Sequence, residues 1–441
     1  MSALSRVRWL ARHGLAGMLL RREARRGNLD ARLMTDPALR ADPFQTYDAI
    51  RERGLVSKGP FGLVTASHSV CANALRSDTF GVGLRPESLP APIGFLLRAA
   101  SRGAVPTPVD PPSMLAVDPP VHTRYRRLVS KVFTARAMEA LRPRIEVLAG
   151  ELLDELAADT SDAVDLVTNY AAQLPVTVIA EILGVPVAMH KQFLSWGNGA
   201  AVTLDIGISY AEFRRSERDL TAMRAWMLGH FAALREHPGD DLLSQLVTVK
   251  DERGQLSEDE LAATAMLLLG AGFETTVNLI GNGTVQLLGH PEQLERLRDE
   301  PSLWPNAVEE VLRYDSPVQR TARVAMAPTR LAGSALGTGQ LVIALIGAAN
   351  RDPAVFEDPH RFDVARANAR EHLAFSAGVH YCLGAALARL EGEIGLRALF
   401  ERFPDLSIAG NPTRRGTRVL RGYDEIRVRL AGVQRPIGLP L

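Results

Sequence analysis

The segment 375–384 reads Phe375-Ser376-Ala377-Gly378-Val379-His380-Tyr381-Cys382-Leu383-Gly384, and a helical run, Ala385 to Phe400, follows it. This pattern predicts a loop with Cys382 at the start of a helix. Backbone N–H groups and the positive end of the helix dipole would point at the sulfur and stabilise a thiolate over a thiol. The alternative is a buried structural thiol, the usual state of a lone cysteine. We favour the first interpretation, in which the thiolate is a metal ligand.

The composition limits which metal this is. The chain has 441 residues but only two cysteines, too few for a disulfide framework, a four-thiolate zinc site or an iron-sulfur cluster. One thiolate cannot hold a structural zinc ion alone. The metal must therefore arrive with most of its ligands already supplied, as haem iron does.

The charge balance disfavours nucleic-acid binding. Lys+Arg is 51 against Asp+Glu 50, so the net charge is +1 and no strong positive field is predicted.

The sequence predicts neither a signal peptide nor a membrane span. The uncharged run 14–20 is short and continues into Arg21 and Arg22 rather than a cleavage site, so we predict no signal peptide. The uncharged run 331–350 is broken by glycines and polar residues. We expect no integral membrane segment and a soluble, cytoplasmic protein.

The N-terminal segment 1–40 differs from the rest of the chain in charge. It contains nine Arg against three acidic residues, with apolar residues interleaved. We interpret it as a basic N-terminal extension before a single domain, 41–441. Residues 1–27 could make weak peripheral contact with an anionic membrane. We favour a surface helix packed on the body, because the apolar stripe is short and contains Gly14 and Gly17.

Helical patterns dominate the rest of the chain. Ser257 and Glu260 have capping-box spacing, and a proline-free run from Ser257 to His290 predicts a helix roughly 50 Å long. Its middle, from Ala262 to Phe273, is apolar all round, which predicts burial on every side. Short strands are predicted near 55–65, 322–330 and 340–346, and 84–115 is predicted to be a long irregular loop.

The signature of segment 375–384 resembles that of the cytochrome P-450 monooxygenases, in their soluble, actinobacterial and more particularly mycobacterial form. Phe375, Gly378, Cys382 and Gly384 match the family pattern, while many bacterial members have a second Gly where this chain has Ser376. The resemblance implies a mainly α fold with small β-sheets, a single triangular, helix-rich domain whose long central helix crosses the haem. It also implies heme b (iron protoporphyrin IX) in contact with these residues, with Cys382 as the iron ligand.

A second motif lies in the long helix, where 271–276 reads Ala-Gly-Phe-Glu-Thr-Thr. The resemblance implies that Ala271 and Thr275 contact the haem and that Glu274 and Thr275 relay protons to bound dioxygen. Gly270 and Gly272 would permit a local widening of the helix. The structural alternative is that Thr275 bonds back to an upstream carbonyl and Glu274 finds an Arg.

Two further groups are assigned by resemblance. Glu310 and Arg313, three apart on one helix face, together with Arg361 are given a structural role in holding the cysteine loop. The haem propionates are expected to be bound by four cationic residues: His122, Arg126, Arg323 and His380.

The leading functional hypothesis is a haem-thiolate monooxygenase that inserts one atom of O2 into an apolar substrate, of lipid, steroid, terpenoid or polyketide class. The chain has no Gly-x-Gly-x-x-Gly motif and no four-Cys cluster, so electrons must come from a separate ferredoxin and ferredoxin reductase, or a flavoprotein. Two alternatives stay open: a non-catalytic haem-binding sensor and a peroxide-driven hydroxylase. Arg320 could meet a carboxylate-bearing substrate, although solvation is favoured. Two interpretations of the Arg-rich face that includes Arg124, Arg127, Lys131 and Arg136 have equal weight: a docking patch for the electron donor and a solvated helix face.

Overall fold

The computed structural model describes residues 3–82, 104–249 and 254–431. Most of the predicted loop 84–115 therefore lies outside the described residues, and 104–115 forms turns and irregular backbone.

Helices make up most of the described chain, as the mainly α prediction requires. In chain order they are α1 (Ala3–Trp9), α2 (Leu15–Arg25), α3 (Leu29–Thr35), α4 (Pro37–Ala41), α5 (Phe44–Arg51), α6 (His68–Arg76), α7 (Val121–Ser130), α8 (Ala135–Glu139), α9 (Arg142–Ala158), α10 (Gln173–Leu183), α11 (His190–Val202), α12 (Tyr210–Glu236), α13 (Leu242–Thr248), α14 (Glu258–Gly289), α15 (Pro291–Asp299), α16 (Trp304–Tyr314), α17 (Ile346–Ala349) and α18 (Ala385–Arg402). Single π-helical turns join α1 to α2 at Leu10–Gly14 and precede α10 at Val167–Ala171.

The strands are short and form small sheets. They are β1 (Ser57–Lys58), β2 (Gly62–Thr65), β3 (Phe80–Gly81), β4 (Val164–Asp165), β5 (Thr321–Ala325), β6 (Thr329–Leu331), β7 (Ser334–Leu336), β8 (Leu341–Ala344), β9 (Ser407–Ile408), β10 (Thr413–Arg414), β11 (Tyr423–Glu425) and β12 (Arg427–Arg429). The largest sheet has the order β1-β2-β8-β5-β3, with β2 parallel to β8 and the other pairs antiparallel. The strands predicted near 55–65, 322–330 and 340–346 are confirmed.

Helix α14 is the spine of the fold. Its capping box is present, because Glu260 N–H donates to Ser257 Oγ at 3.2 Å while Ser257 N–H donates to Glu260 Oε2 at 2.8 Å. It packs on α10, α11, α12 and α18, and most of its residues are buried. By length and composition alone α14 could span a membrane, but 67% of its apolar window is buried inside the protein. That burial is typical of a core helix.

The N-terminal helices pack on the body along one face. The Trp9 indole N–H donates to Ile208 O at 2.9 Å, Arg12 pairs with Asp110 at 2.8 Å, and His13 is buried. The opposite face exposes four large apolar side chains: Val7, Leu10, Leu15 and Met18. This arrangement agrees with the prediction that the N-terminal segment is a surface helix packed on the body of the protein.

Candidate active site

The cysteine loop is shaped by its own backbone. Cys382 N–H donates to Phe375 O at 2.9 Å, which closes the loop immediately before α18. Gly378 has φ +70°, and a Cβ at this position would lie 2.5 Å from Leu75 O. Any other residue would be strained in conformation and would also clash with α6. The Gly378 of the signature is therefore required by the packing of the loop.

The electrostatics of Cys382 differ from the sequence expectation. The thiol is accessible, but protein surrounds it on most sides, and this burial raises its pKa. The Gly384 N–H and the charges of Arg126 and Arg389 act in the opposite direction without reversing the shift. In the described structure the pKa of Cys382 is therefore raised, whereas the sequence led us to expect the loop to stabilise a thiolate. A bound metal cation would supply the missing positive charge.

The four cationic residues assigned by resemblance meet at this loop. The His122 and His380 rings lie 4.2 Å apart between centroids. Arg126 Nη1 donates to Val379 O at 3.3 Å, and Arg323, on β5, donates from Nη2 to Ser376 Oγ at 3.3 Å. Side chains from α7, β5 and the loop itself thus converge near Cys382.

This cluster fits a group that carries carboxylates. Arg323 is buried, and among the described residues no carboxylate lies within ion-pair distance of it. Burial lowers the pKa of Arg323 to about 10, with Asp118 acting in the opposite direction. His380 Nε2 is buried without a hydrogen-bond partner in the described chain and lies 3.9 Å from Asp118 Oδ1. Burial lowers the pKa of His122 to about 4. Among the described residues, Arg323 thus lacks an ion-pair partner and His380 Nε2 lacks a hydrogen-bond partner, and two propionates would satisfy both groups.

The middle of α14 is buried except along one line. Ala271 is exposed and Thr275 is partly exposed, whereas Phe273, Glu274 and Thr276 are buried. Ala271 and Thr275 are four apart and therefore share a face of the helix. The Thr275 hydroxyl donates to Ala271 O at 3.0 Å, and the helix is regular through this segment. The expected widening is not present, because Glu258–Gly289 is an uninterrupted α-helix in the described structure.

Glu274 has a partner that the sequence did not reveal. The carboxylate forms an ion pair with Arg415, which lies between β10 and β11. Arg415 Nε also donates to Tyr423 O at 3.0 Å and lies 3.5 Å from Asp424. Burial lowers the pKa of Arg415, and Asp424 acts in the opposite direction. The alternative in which Glu274 finds an Arg is what the structure contains, and no local pattern could have indicated which Arg.

Glu310 and Arg313 form a fully buried pair. Arg313 Nε and Nη2 donate to the two Glu310 carboxylate oxygens at 2.6 and 2.8 Å. The Arg361 side chain does not complete this pair, because it is exposed. Arg361 contributes only its backbone carbonyl, which accepts a hydrogen bond from Arg313 Nη2. Arg366 does so instead, with Nε 3.2 Å from Glu310 Oε1. The assignment of Arg361 is therefore wrong, and Arg366, five positions later, takes its place.

The direct link to the cysteine loop comes from Glu309, which the sequence reasoning missed. Glu309 is buried, accepts from Arg389 on α18 at 2.8 Å, and lies 3.0 Å from His372 Nε2, just before the loop. Burial raises the pKa of Glu309, but His372 and Arg389 outweigh it, so the net pKa is lowered. Arg389 also covers the Phe375 ring at 4.5 Å. The only sequence signal for this role was that Glu309 is an acidic residue next to Glu310.

The remaining charges considered from the sequence are placed as follows. Arg320 is buried and pairs with Asp30 of α3 at 2.5 Å, so it points neither into solvent nor toward an unpaired site. Arg124 pairs with Glu260 of α14 at 3.4 Å. Arg127, Lys131 and Arg136 are exposed.

The chain is similar to known proteins over most of its length. Residues 209–411 match the family model described as Cytochrome P450. A "Putative cytochrome P450 140" of Mycobacterium tuberculosis is 50% identical over 96% of this chain and 97% of that protein. The 6-deoxyerythronolide B hydroxylase of Saccharopolyspora erythraea is 47% identical over 71% of this chain and 77% of that protein. The crystal structure of Mycobacterium smegmatis CYP164A2 superposes with a TM-score of 0.81 at 36% identity, covering 91% of this chain and 99% of that one. The chain belongs to the cytochrome P450 family of haem-dependent monooxygenases.

Proposed function

We propose that this protein inserts one oxygen atom from O2 into an apolar substrate, with Cys382 as the thiolate ligand of the haem iron. The observation that carries the proposal is the convergence of His122, Arg126, Arg323 and His380 on the Cys382 loop. Bound haem supplies the chemistry of dioxygen activation. The chain supplies the thiolate, the donors for the propionates and the loop that positions them.

Three groups of residues would hold the haem. Arg126 and Arg323 would be charged donors for the propionates, and the rings of His122 and His380 would also donate to them. Phe375, Gly378 and Gly384 shape the loop around Cys382. Ala271 and Thr275 lie on the accessible line of α14 and would contact the haem. Four buried residues are proposed to stabilise the fold around the cysteine loop and not to take part in the reaction: Glu309, Glu310, Arg313 and Arg366.

Protons reach the oxygen site through Glu274 and Thr275. When one atom of O2 enters the substrate, the other is reduced to water by two protons and by two electrons from the redox partner, so a positioned acid and alcohol have a defined task. The Thr275 hydroxyl can rotate from Ala271 O toward the accessible side of the helix. The Glu274 carboxylate would have to carry the transferred proton while it remains next to the Arg415 guanidinium.

The substrate is proposed to be an acyl or polyketide-like molecule. Several relatives have names of this kind, including the 6-deoxyerythronolide B hydroxylase and the "Polyketide biosynthesis cytochrome P450 PksS" of Bacillus subtilis, which is 40% identical. A structural neighbour, P450BioI, is described in complex with a fatty-acyl-linked carrier protein, at 33% identity. The pairing of Arg320 with Asp30 leaves no argument that Arg320 receives a substrate carboxylate.

Electrons are proposed to come from a separate ferredoxin and ferredoxin reductase, or from a flavoprotein. The exposed Arg127, Lys131 and Arg136 on α7 and α8 form a basic surface next to Arg126, and an acidic partner would complement it. Charge reversal of Arg136 should slow the reduction of this protein by a ferredoxin, and the effect should be larger at low than at high ionic strength.

Residues 1–40 are proposed to be an extension docked on the single domain 41–441 of a cytoplasmic protein. The exposed Val7, Leu10, Leu15 and Met18, together with the arginines of this segment, would make weak peripheral contact with an anionic bilayer. Sedimentation with anionic and with neutral vesicles tests this, and equal binding to both would contradict it.

The test of function is a screen of the haem-loaded protein. Lipophilic compounds of the four classes are titrated, and a substrate is recognised by the change in iron spin state that follows displacement of iron-bound water. Hits are then incubated with ferredoxin, reductase and NADPH, or with hydrogen peroxide alone. Product with one added oxygen only in the first mixture supports the proposal. Product only with peroxide, or spin-state changes without product in either mixture, would favour the alternatives.

A further inference from the structure

Ser376 has a backbone conformation that residues with a side chain rarely adopt. Its φ is +62°, in the left-handed region where glycine carries the least penalty. Its N–H donates to Leu373 O at 2.8 Å, so the turn fixes this conformation. A strained serine in a functional loop therefore needs a compensating contact.

The compensating contact is with Arg323. Ser376 Oγ accepts from Arg323 Nη2 at 3.3 Å. The other hydrogen-bond acceptors of this guanidinium among the described residues lie on its own strand β5: Thr321 Oγ1 at 3.2 Å and Ala322 O at 2.9 Å. Within the described residues, Ser376 is thus the contact that ties the Arg323 side chain to the cysteine loop.

We infer that Ser376 is a positioning residue that orients the Arg323 guanidinium for a haem propionate. The inference rests on the proposed function, in which Arg323 binds that propionate. Bidentate recognition of a carboxylate needs the planar fork of Arg323 in one orientation. A hydroxyl bond to Nη2 removes rotamer freedom before haem binds, so less freedom is lost on binding. Glycine at 376 would relieve the backbone but leave the guanidinium less restrained.

The test compares haem retention in Ser376→Gly, Ser376→Ala and Ser376→Asn. Transfer of haem from each purified haem-loaded protein to excess apomyoglobin gives the dissociation rate, and far-UV circular dichroism checks folding. We expect Ser376→Gly and Ser376→Ala each to lose haem about fivefold faster than the wild type, as loss of one hydrogen bond predicts. Ser376→Asn tolerates the left-handed conformation and offers a side-chain oxygen, so it should restore much of the retention.

Strain and orientation make opposite predictions for Ser376→Gly. If Ser376 acted only through its backbone strain, the glycine variant would hold haem as well as the wild type or better, and the inference would fail. The Arg323→Ala background separates the two claims. Unchanged haem loss in Arg323→Ala contradicts the propionate role itself. Faster loss in Arg323→Ala, with no further effect of Ser376→Gly in that background, supports the positioning role.

Discussion

Arg415, in the β10–β11 connection, forms an ion pair with the Glu274 carboxylate inside the protein. Glu274 is 2% exposed and Arg415 is also largely buried, so neither charge is well solvated. The acid of the central helix is therefore held by a segment near the C-terminus. Asp424, which is mostly exposed, is the second carboxylate near the same guanidinium.

Removal of Arg415 should be strongly destabilising. The Arg415→Ala substitution leaves a buried carboxylate without its counter-charge, which costs about 3–5 kcal/mol in comparable cases. Adding Glu274→Gln should recover most of that loss, because the buried charge is gone. Urea unfolding of the haem-loaded proteins gives the free energies. Asp424→Asn is the control and should change stability by less than about 1 kcal/mol. A double variant no more stable than Arg415→Ala would contradict the pairing.

Loss of the Thr275 hydroxyl should uncouple electron use from product formation. Without the alcohol, protons reach bound dioxygen less effectively, and general acid catalysis of this kind contributes about 100-fold or more. We expect Thr275→Ala to release more hydrogen peroxide per electron consumed, measured against NADPH oxidation with a hit from the substrate screen. Thr276→Ala, which alters a buried neighbour, is the matched control. Equal peroxide release by both variants and the wild type would remove Thr275 from the proton relay.

Much of the fold was predictable because its signals are local. The capping box of Ser257 and Glu260, the apolar run through α14 and the turn residues that bound the strands each act within a few residues. These features of the fold are confirmed by the described structure. The assignment of Cys382 as the thiolate ligand also rests on local sequence, since the loop and the following helix lie together, and it stays a prediction.

The long-range partners were not predictable. Arg415 meets Glu274, and Asp30 meets Arg320, only because the fold brings distant segments together. The choice of Arg366 over Arg361 depends on which way each side chain leaves an irregular turn, which sequence spacing does not fix. The net pKa of Cys382 also escaped prediction, because desolvation by the surrounding protein outweighs the N–H groups and cations of the loop.

Arg366 should matter more to stability than Arg361. Arg366 shares the buried Glu310 carboxylate with Arg313, whereas the Arg361 side chain lies in solvent beside Asp363. We expect Arg366→Ala to lower the free energy of unfolding by about 3 kcal/mol and Arg361→Ala by less than about 0.5 kcal/mol, by urea unfolding of the haem-loaded proteins. The reverse order would show that Arg361 completes the buried pair.

Glu391 should make stability depend on pH. Glu391 is fully buried on α18, and burial raises its pKa well above 4.5, with the nearby Thr276 side chain acting in the opposite direction. By hydrogen-bond geometry neither carboxyl oxygen has a partner in the described chain. The unfolded chain ionises this group above about pH 4.5 while the folded protein keeps it protonated, so stability falls as pH rises toward the folded-state pKa.

Glu391→Gln removes this penalty, since the amide does not ionise. The variant should gain stability relative to the wild type between about pH 5 and about pH 8, as measured by urea unfolding at both values. Glu393→Gln, at a partly exposed neighbour paired with Arg142, serves as the control. A Glu391→Gln difference that stays constant with pH would mean that Glu391 is ionised in the folded protein.

The ligation of iron by Cys382 is tested most directly by the spectrum of the dithionite-reduced protein with carbon monoxide. We predict the red-shifted Soret band of thiolate ligation in the wild type and its loss in Cys382→Ser, with the band retained in Cys71→Ser because Cys71 is buried beside β2 and bonds to Thr65 O. Persistence of the band in Cys382→Ser, or a wild-type spectrum typical of imidazole ligation, would contradict the account.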